Sequence, residues 1–223
     1  MDTFSNQLRK DVDPIWQRIL FHPYLVEISN ATLPIEKFMF YIKQDYSFLI
    51  QYARCLGIAT AKVQDLETMR TFASLLNSSL TLEMRMLERL GLSLRISIEE
   101  LKRAEPTPTN LAYNHYMLYV SYSGTVGEAM ATMLPCMWSY QEIGERLDKS
   151  EKIKEHPIYS EWSSTYSSSE YIDLVKWYKT LVNELATQAG QAERKRMKSH
   201  FTISSKYEYM FWNMVYKQEQ WPI

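Results

Sequence analysis

Apolar residues recur every three or four positions along most of the chain, and short polar stretches separate these runs. This spacing is typical of helices that bury one face. The pattern predicts helices over residues 3–21, 34–63, 65–91, 110–147, 157–166 and 167–189, and a last one from residue 192 onward. Ser97 and Glu100 have the spacing of a capping box, and Gly91 lies where a C-terminal stop is expected. An interruption is expected at residues 203–205.

Composition supports an all-helical class. The chain has 223 residues, with only 6 Gly but 12 Met, 16 Tyr and 6 Trp. Scarce glycine and abundant large side chains suit a helical protein better than a loop-rich sheet protein. The length fits one domain with a large core. We therefore predict an all-α fold, a multi-helix bundle formed by a single domain over residues 1–223.

Charge and cysteine content narrow the partners and the compartment. The formal net charge is -1, with acidic and basic residues interspersed, so no nucleic-acid partner is expected. No apolar run approaches the roughly 20 residues that cross a bilayer, and no membrane partner is expected. The two cysteines are far apart, and the charged N-terminus does not resemble a signal peptide. A cytoplasmic location and a small-molecule partner are expected.

Pro135 lies within the apolar run that surrounds Cys136. A proline inside a helix removes a backbone donor and clashes with the carbonyl group four residues earlier, at a cost of roughly 3 kcal/mol. We therefore expect a helix break at Pro135, with Cys136 at the start of the restarted helix. Free amide groups at a helix start lower the pKa of a cysteine. A buried and inert thiol is the alternative reading of Cys136 alone.

Two carboxylates lie on apolar helix faces. Asp45 is four residues from both Tyr41 and Leu49, and Glu208 shares a stripe with residues 211–215. A buried carboxylate is costly unless it is paired or hydrogen-bonded. Two of them on different helices, together with Cys136 and many tyrosines, predict a polar pocket inside the bundle.

Several chemistries compete for such a pocket. A di-iron carboxylate centre needs Glu-x-x-His on two helices, and none of the four histidines has a glutamate three residues before it. Haem would need an axial histidine, for which His22 or His115 could serve. The chain has no G-x-S-x-G motif, which a serine hydrolase would need. Catalysis by a cysteine nucleophile remains, with activation by a carboxylate because no histidine has an evident partner.

Several stretches, in order along almost the entire chain, are similar to one known family. They are residues 40–46 (FYIKQDY), 134–144 (LPCMWSYQEIG) and 156–159 (HPIY), Trp162 with Tyr166, and residues 204–212 (SSKYEYMFW). With these stretches the chain resembles the TenA / thiaminase II family. That family has a haem-oxygenase-like all-α fold and hydrolyses aminopyrimidines in thiamin salvage. Met137 is a departure, because many members have an aromatic residue directly after the cysteine.

The resemblance implies a role for each candidate site residue. Cys136 would be the nucleophile, Glu208 the acid–base carboxylate, and Asp45 the group that binds the exocyclic amine of the pyrimidine. The positions that would line the pocket are Phe48, Tyr113, Tyr140 and Tyr166. No metal and no cofactor are expected.

The implied reaction is hydrolysis of a C–N bond at the methylene group of 4-amino-5-aminomethyl-2-methylpyrimidine, with release of ammonia. Thiamin is the other family substrate, with the thiazole as leaving group. Two alternatives stay open: a non-catalytic pyrimidine-binding regulatory protein of the same fold, and a related haem-oxygenase-like oxidase. The resemblance also implies a homotetramer. Trp162, Trp177, Phe211 and Trp221 are compatible with its interfaces, but equally with the core.

Overall fold

The structure is a computed structural model that describes residues 2–223. It contains helices and no strand within these residues. The α-helices are α1 Phe4–Asp11, α2 Asp13–Leu20, α3 Pro23–Ser29, α4 Ile35–Lys62, α5 Leu66–Ser78, α6 Met84–Ser93, α7 Ile98–Arg103, α8 Pro108–Ser123, α9 Val126–Leu147, α10 Glu151–Lys154, α11 Pro157–Ser167, α12 Ser169–Gln188 and α13 Gln191–Lys217; a π-helical turn, Ser79–Glu83, joins α5 to α6. The all-α prediction is confirmed.

Side-chain caps begin several of the predicted helices. The side chain of Asp65 accepts a hydrogen bond from the Thr68 amide, and Ser97 and Glu100 form the predicted reciprocal capping box. Such caps satisfy amide groups that have no partner within the helix. Gly91 lies inside α6, so the predicted stop at this residue is wrong by two positions.

Helix α9 occupies the centre of the bundle and packs against α13, α11, α12, α8 and α4. Every residue from 127 to 140 is buried. The helix continues through Pro135, so the predicted break at this residue is wrong. Neighbouring helices surround α9 along this whole stretch. Their packing offsets the free-energy cost of the backbone hydrogen bond that Pro135 cannot donate.

The break predicted near Pro135 lies ten residues earlier, between α8 and α9. Gly124 ends α8 in an extended conformation, and the hydroxyl of Thr125 caps α9 by accepting from the Glu128 amide at 3.1 Å. A Cβ atom at Gly124 would lie 2.8 Å from the Val120 carbonyl oxygen, so only glycine fits here. Thr125 and Glu128 have the spacing of a capping box, which is the sequence signal for this boundary.

Helix α13 is continuous from Gln191 to Lys217, so the interruption expected at residues 203–205 is wrong. Ser204 and Ser205 are fully buried within the helix, and the Ser205 hydroxyl accepts a hydrogen bond from the Trp16 indole at 3.0 Å. Small polar residues at these positions let α13 pack closely against its neighbours. None of the helices in residues 2–223 has the length and apolar character needed to cross a membrane.

Candidate active site

Asp45 lies on the buried face of α4, one turn after Tyr41. The Tyr41 hydroxyl donates to Asp45 Oδ2 at 2.8 Å and accepts from the Trp162 indole on α11 at 3.0 Å. Burial raises the pKa of Asp45 to about 7, while the Tyr41 hydrogen bond acts in the opposite direction. The predicted buried carboxylate is thus present and oriented by a two-step hydrogen-bond chain.

Glu208 lies on the buried face of α13, where the sequence pattern placed it. Its Oε1 atom accepts a hydrogen bond from the Tyr113 hydroxyl of α8 at 2.7 Å. Burial raises the pKa of Glu208 to about 8, the Tyr113 hydrogen bond opposes this rise, and the charge of Asp45 adds to it. Near neutral pH the carboxyl group is therefore largely protonated, which suits a proton donor.

Cys136 lies in the middle of α9 and keeps 7% of its surface exposed. Burial raises the pKa of its thiol well above the ordinary value, and repulsion from Glu208, Glu83 and Asp45 raises it further. The thiol is therefore neutral in this structure, and the low pKa expected from a helix start is wrong because no helix starts at Cys136. Since three carboxyl groups act on one thiol, the four side chains share one electrostatic environment.

Aromatic rings on five helices pack around these groups, and they include all of the predicted lining residues. Tyr140 packs edge-on against Tyr166 with ring centroids 4.8 Å apart, and Phe48 lies 5.2 Å from Tyr113. Tyr140 also lies 5.4 Å from Trp212. The structure thus brings together the aromatic walls that would stack on a planar heterocycle.

Glu83 is a third buried carboxyl group that acts on Cys136, and the sequence reasoning missed it. It ends the π-helical turn and is 8% exposed. Burial, and then repulsion from Asp45, raises its pKa to about 8. Glu83 precedes the buried residues Met86 and Leu87 by three and four positions, so the test that singled out Asp45 and Glu208 would also have found it. Short π-helical turns occur often at functional sites.

Two cavities adjoin Glu83. The larger one has a volume of about 160 Å³ and is bordered by Glu83 and Leu174 together with Tyr171. The smaller one has a volume of about 10 Å³ and is lined by Glu83, Leu174 and Met137 with two tyrosines. Cys136, Asp45 and Glu208 line neither cavity, but Met137 follows Cys136 directly. Met137 lines the smaller cavity, and Tyr171, whose hydroxyl donates to Met137, borders the larger one.

The histidines take structural roles or lie apart from this cluster. His22 and His156 cap α3 and α11, and His200 pairs with the Tyr116 hydroxyl at 2.7 Å. In the part of the chain that the structure describes, no three or more His, Cys, Asp or Glu side chains are grouped as a metal ion would require. The arrangement is suited to acid–base chemistry by carboxyl groups beside a thiol.

Comparison with known proteins identifies the family of the chain. The model of the TENA/THI-4/PQQC family matches residues 9–218. An aminopyrimidine aminohydrolase of Halalkalibacterium halodurans is 38% identical over 219 residues, which cover 98% of both chains. An aminopyrimidine aminohydrolase of Helicobacter pylori is 35% identical over 213 residues, 96% of this chain and 98% of its own.

Solved structures agree with the helical arrangement. A TenA homologue from P. horikoshii OT3 superposes with a TM-score of 0.88 at 33% identity, covering 96% of this chain and 99% of its own. A Shewanella denitrificans domain with a heme oxygenase-like fold reaches a TM-score of 0.77 at 14% identity, covering 95% and 91% of the two chains. The second likeness confirms the predicted haem-oxygenase-like fold. The chain therefore belongs to the TENA/THI-4/PQQC family.

Proposed function

We propose that this protein is an aminopyrimidine aminohydrolase of thiamin salvage. It cleaves the C–N bond at the methylene group of 4-amino-5-aminomethyl-2-methylpyrimidine and releases ammonia. Thiamin, from which the thiazole would depart, is the other candidate substrate. The observation that carries the proposal is a buried thiol, Cys136, in the electrostatic field of Asp45, Glu83 and Glu208. Two relatives that bear this activity in their names match nearly the full chain.

Asp45 is proposed to bind the 4-amino group of the pyrimidine. An ionised carboxylate accepts a charge-assisted hydrogen bond from an amino group beside a ring nitrogen. Because the pKa of Asp45 is about 7 in this structure, a basic ligand that donates to the carboxylate shifts it towards the ionised form. The Tyr41 hydroxyl holds the carboxylate in place for this contact.

Cys136 is proposed to add to the pyrimidine ring with help from Glu208. Protonated Glu208 donates to a ring nitrogen while the sulfur bonds to a ring carbon, and the resulting carboxylate takes the thiol proton. The ring becomes an electron-rich enamine whose electron pair expels the protonated amine from the methylene group as ammonia. Water then adds to the methylene carbon, and the proton that it releases passes through a carboxylate to the ammonia. Finally the C–S bond breaks while Glu208 takes the proton of the ring nitrogen and returns one to the sulfur, which restores the aromatic ring and the thiol.

The raised pKa of Cys136 gives this sequence a physical requirement. Burial and the nearby acidic side chains disfavour a thiolate at Cys136, so the sulfur must lose its proton only as it bonds to the ring. Addition with simultaneous proton transfer meets this requirement, because no isolated thiolate forms. The aromatic rings of Phe48, Tyr113, Tyr140 and Tyr166 would stack on the pyrimidine and exclude water from it.

Met137 replaces the aromatic residue that follows the cysteine in many members of the family. Its sulfur accepts a hydrogen bond from the Tyr171 hydroxyl at 3.5 Å. This contact holds the Met137 side chain in place where those family members have an aromatic ring. We propose that Met137 changes the packing there and leaves the roles of Cys136, Asp45 and Glu208 unchanged.

The proposal is tested by incubating the protein with the aminomethyl pyrimidine in ¹⁸O-labelled water. Mass spectrometry should show the hydroxymethyl pyrimidine carrying one ¹⁸O atom, and an ammonia assay should show an equal amount of ammonia. A folded protein that binds the pyrimidine tightly but forms no product would favour the non-catalytic regulatory protein instead. The neutral thiol of Cys136 would fit this alternative, because a thiol that keeps its proton is a poor nucleophile.

We also propose a homotetramer in the cytoplasm. Trp162 and Phe211 are buried in the core, so they are not available as surface contacts. Tyr119 and Tyr122 of α8 are exposed by 66% and 71%, which makes this helix the better candidate for an interface. Multi-angle light scattering should give four times the 26.4 kDa chain mass. Two free cysteines fit a reducing compartment.

A further inference from the structure

Glu83 is a buried acid that the proposed reaction has not used. It lies in the wall between the two cavities, because both are lined by Glu83 and Leu174. Burial and the charge of Asp45 raise its pKa, and no hydrogen bond from the described part of the chain opposes this rise. A carboxyl group at a cavity wall without a protein partner is available to a ligand.

Three hydroxyl groups line the smaller cavity together with Glu83. They belong to Tyr52, Ser79 and Tyr178, which are 2%, 5% and 1% exposed. None of the three hydroxyls has a partner at normal hydrogen-bond distance within residues 2–223, although those of Tyr52 and Tyr178 lie close enough to shift each other's pKa. Buried polar groups are almost always satisfied, so hydroxyls without a full hydrogen bond around one cavity indicate a site for a small polar group. Its volume of about 10 Å³ matches a single centre the size of water or ammonia.

Residues that line this cavity interact electrostatically with the proposed nucleophile, because Cys136 acts on the pKa of both Tyr52 and Tyr178. Met137 lines the cavity and is the next residue after Cys136. The charge of Glu83 also acts on the thiol of Cys136. On its other side Glu83 borders the larger cavity, next to Tyr171, whose hydroxyl donates to Met137. A group expelled next to Cys136 would therefore meet Glu83 before it reaches the larger cavity.

We propose that Glu83, with the hydroxyls of Tyr52, Ser79 and Tyr178, forms the subsite that binds the amine leaving group of the substrate. This inference rests on the proposed function and adds a residue to it. The amine enters as a primary ammonium group, which donates one hydrogen bond to the Glu83 carboxylate and others to hydroxyl oxygens. After C–N cleavage, ammonia leaves past Glu83 through the larger cavity.

Charge explains why this subsite selects an amine. A primary ammonium group has three donors and one positive charge, whereas a hydroxyl group has one donor and no charge. A carboxylate held in an apolar environment gains most from a cation, which stabilises its ionised form. Glu83 therefore distinguishes the aminomethyl substrate from the hydroxymethyl product, and favours product release.

The test measures binding to a protein that cannot turn over. In a Cys136→Ser background, calorimetry gives the Kd values of the aminomethyl and hydroxymethyl pyrimidines. Adding Glu83→Gln should raise the Kd of the aminomethyl compound by roughly 10–100-fold, the range for loss of a hydrogen bond to a charged group. The hydroxymethyl compound should change by less than about threefold. Glu83→Asp, which keeps the charge, should retain part of the preference for the amine.

Glu170→Gln is the matched control. Glu170 borders only the larger cavity and is exposed, so the same loss of charge there should leave both Kd values unchanged. The inference would be overturned if Glu83→Gln raised the Kd of both compounds equally or of neither. It would also be overturned if Glu170→Gln had the same effect as Glu83→Gln. Failure of both compounds to bind the Cys136→Ser protein would instead refute the proposed function. A melting curve for each variant verifies that it is folded.

Discussion

Replacing Tyr41 by phenylalanine tests the hydrogen-bond chain behind Asp45. The hydroxyl of Tyr41 serves two buried partners, Asp45 Oδ2 at 2.8 Å and the Trp162 indole at 3.0 Å. Tyr41→Phe leaves both without a partner while it preserves the ring. A buried polar group that loses its partner costs about 1–3 kcal/mol. We therefore expect a loss of about 3 kcal/mol in the free energy of unfolding, or roughly 6–12 °C in Tm for a chain of this size.

The same substitution has a predicted effect on activity. The Tyr41 hydrogen bond lowers the pKa of Asp45, which burial raises to about 7. Without it the pKa of Asp45 rises further, and a smaller fraction of Asp45 is ionised at neutral pH. If ionised Asp45 binds the substrate, the acidic limb of the kcat/KM profile for the aminomethyl pyrimidine moves to higher pH. Thermal denaturation and pH–rate profiles of both proteins measure the two effects.

Tyr24→Phe is the control in the same aromatic cluster. Tyr24 is fully buried and packs against Tyr41 with ring centroids 6.0 Å apart, and its hydroxyl has no hydrogen-bond partner among residues 2–223. Removing an unpaired hydroxyl should leave Tm unchanged or slightly higher, and should leave the acidic limb in place. If Tyr41→Phe behaves like Tyr24→Phe in both assays, the hydrogen-bond chain does not orient Asp45 and this account of the substrate contact is refuted.

Two further predictions concern Glu208 and the packing of α9. The pKa of Glu208 is higher in the folded protein, about 8, than the ordinary value of 4.5, so its contribution to stability is fully present below pH 4.5 and is lost as the pH rises through 8. Glu208→Gln should therefore reduce the fall in Tm between pH 5 and pH 9, measured by calorimetry, and an unchanged fall in Tm would contradict the raised pKa. Because the substitution also removes the proposed proton donor, it should lower kcat by roughly 10²–10⁴-fold in activity assays. A Cβ atom at Gly144 would lie 2.7 Å from the backbone carbon of Tyr166, so Gly144→Ala should lower the free energy of unfolding by more than about 2 kcal/mol in urea denaturation. Gly57→Ala meets only Leu76 at 4.0 Å and should stabilise α4 by roughly 0.5–1 kcal/mol; similar effects from both substitutions would contradict the close contact of α9 with α11.

The sequence was sufficient to predict the helical class and the two buried carboxylates, for a clear physical reason. Helical spacing records which face is buried, and Asp45 and Glu208 stand out because they interrupt apolar stripes. Their hydrogen-bond partners could not be predicted in the same way. Tyr41 is one turn from Asp45, but Tyr113 reaches Glu208 from another helix.

The errors in the sequence analysis share one cause. Local propensity placed breaks at Pro135 and at residues 203–205, but both segments lie inside helices that neighbouring helices surround. Tertiary packing overrides such local costs, and the sequence does not state where packing is dense. The same error assigned Cys136 a low pKa, although burial among three carboxyl groups raises it. Glu83 is a separate case, because its spacing within the helix predicted over residues 65–91 indicated a buried carboxylate and was overlooked.

Turnover by two cysteine variants tests the central claim most directly. Both cysteines are buried and free, and burial raises the pKa of both thiols, but only Cys136 lies among the carboxylates. Single-turnover and steady-state assays with the aminomethyl pyrimidine would compare Cys136→Ser and Cys55→Ser with the unchanged protein. The account predicts that Cys136→Ser abolishes formation of the hydroxymethyl product while Cys55→Ser retains it. Full activity of a folded Cys136→Ser protein would contradict the account.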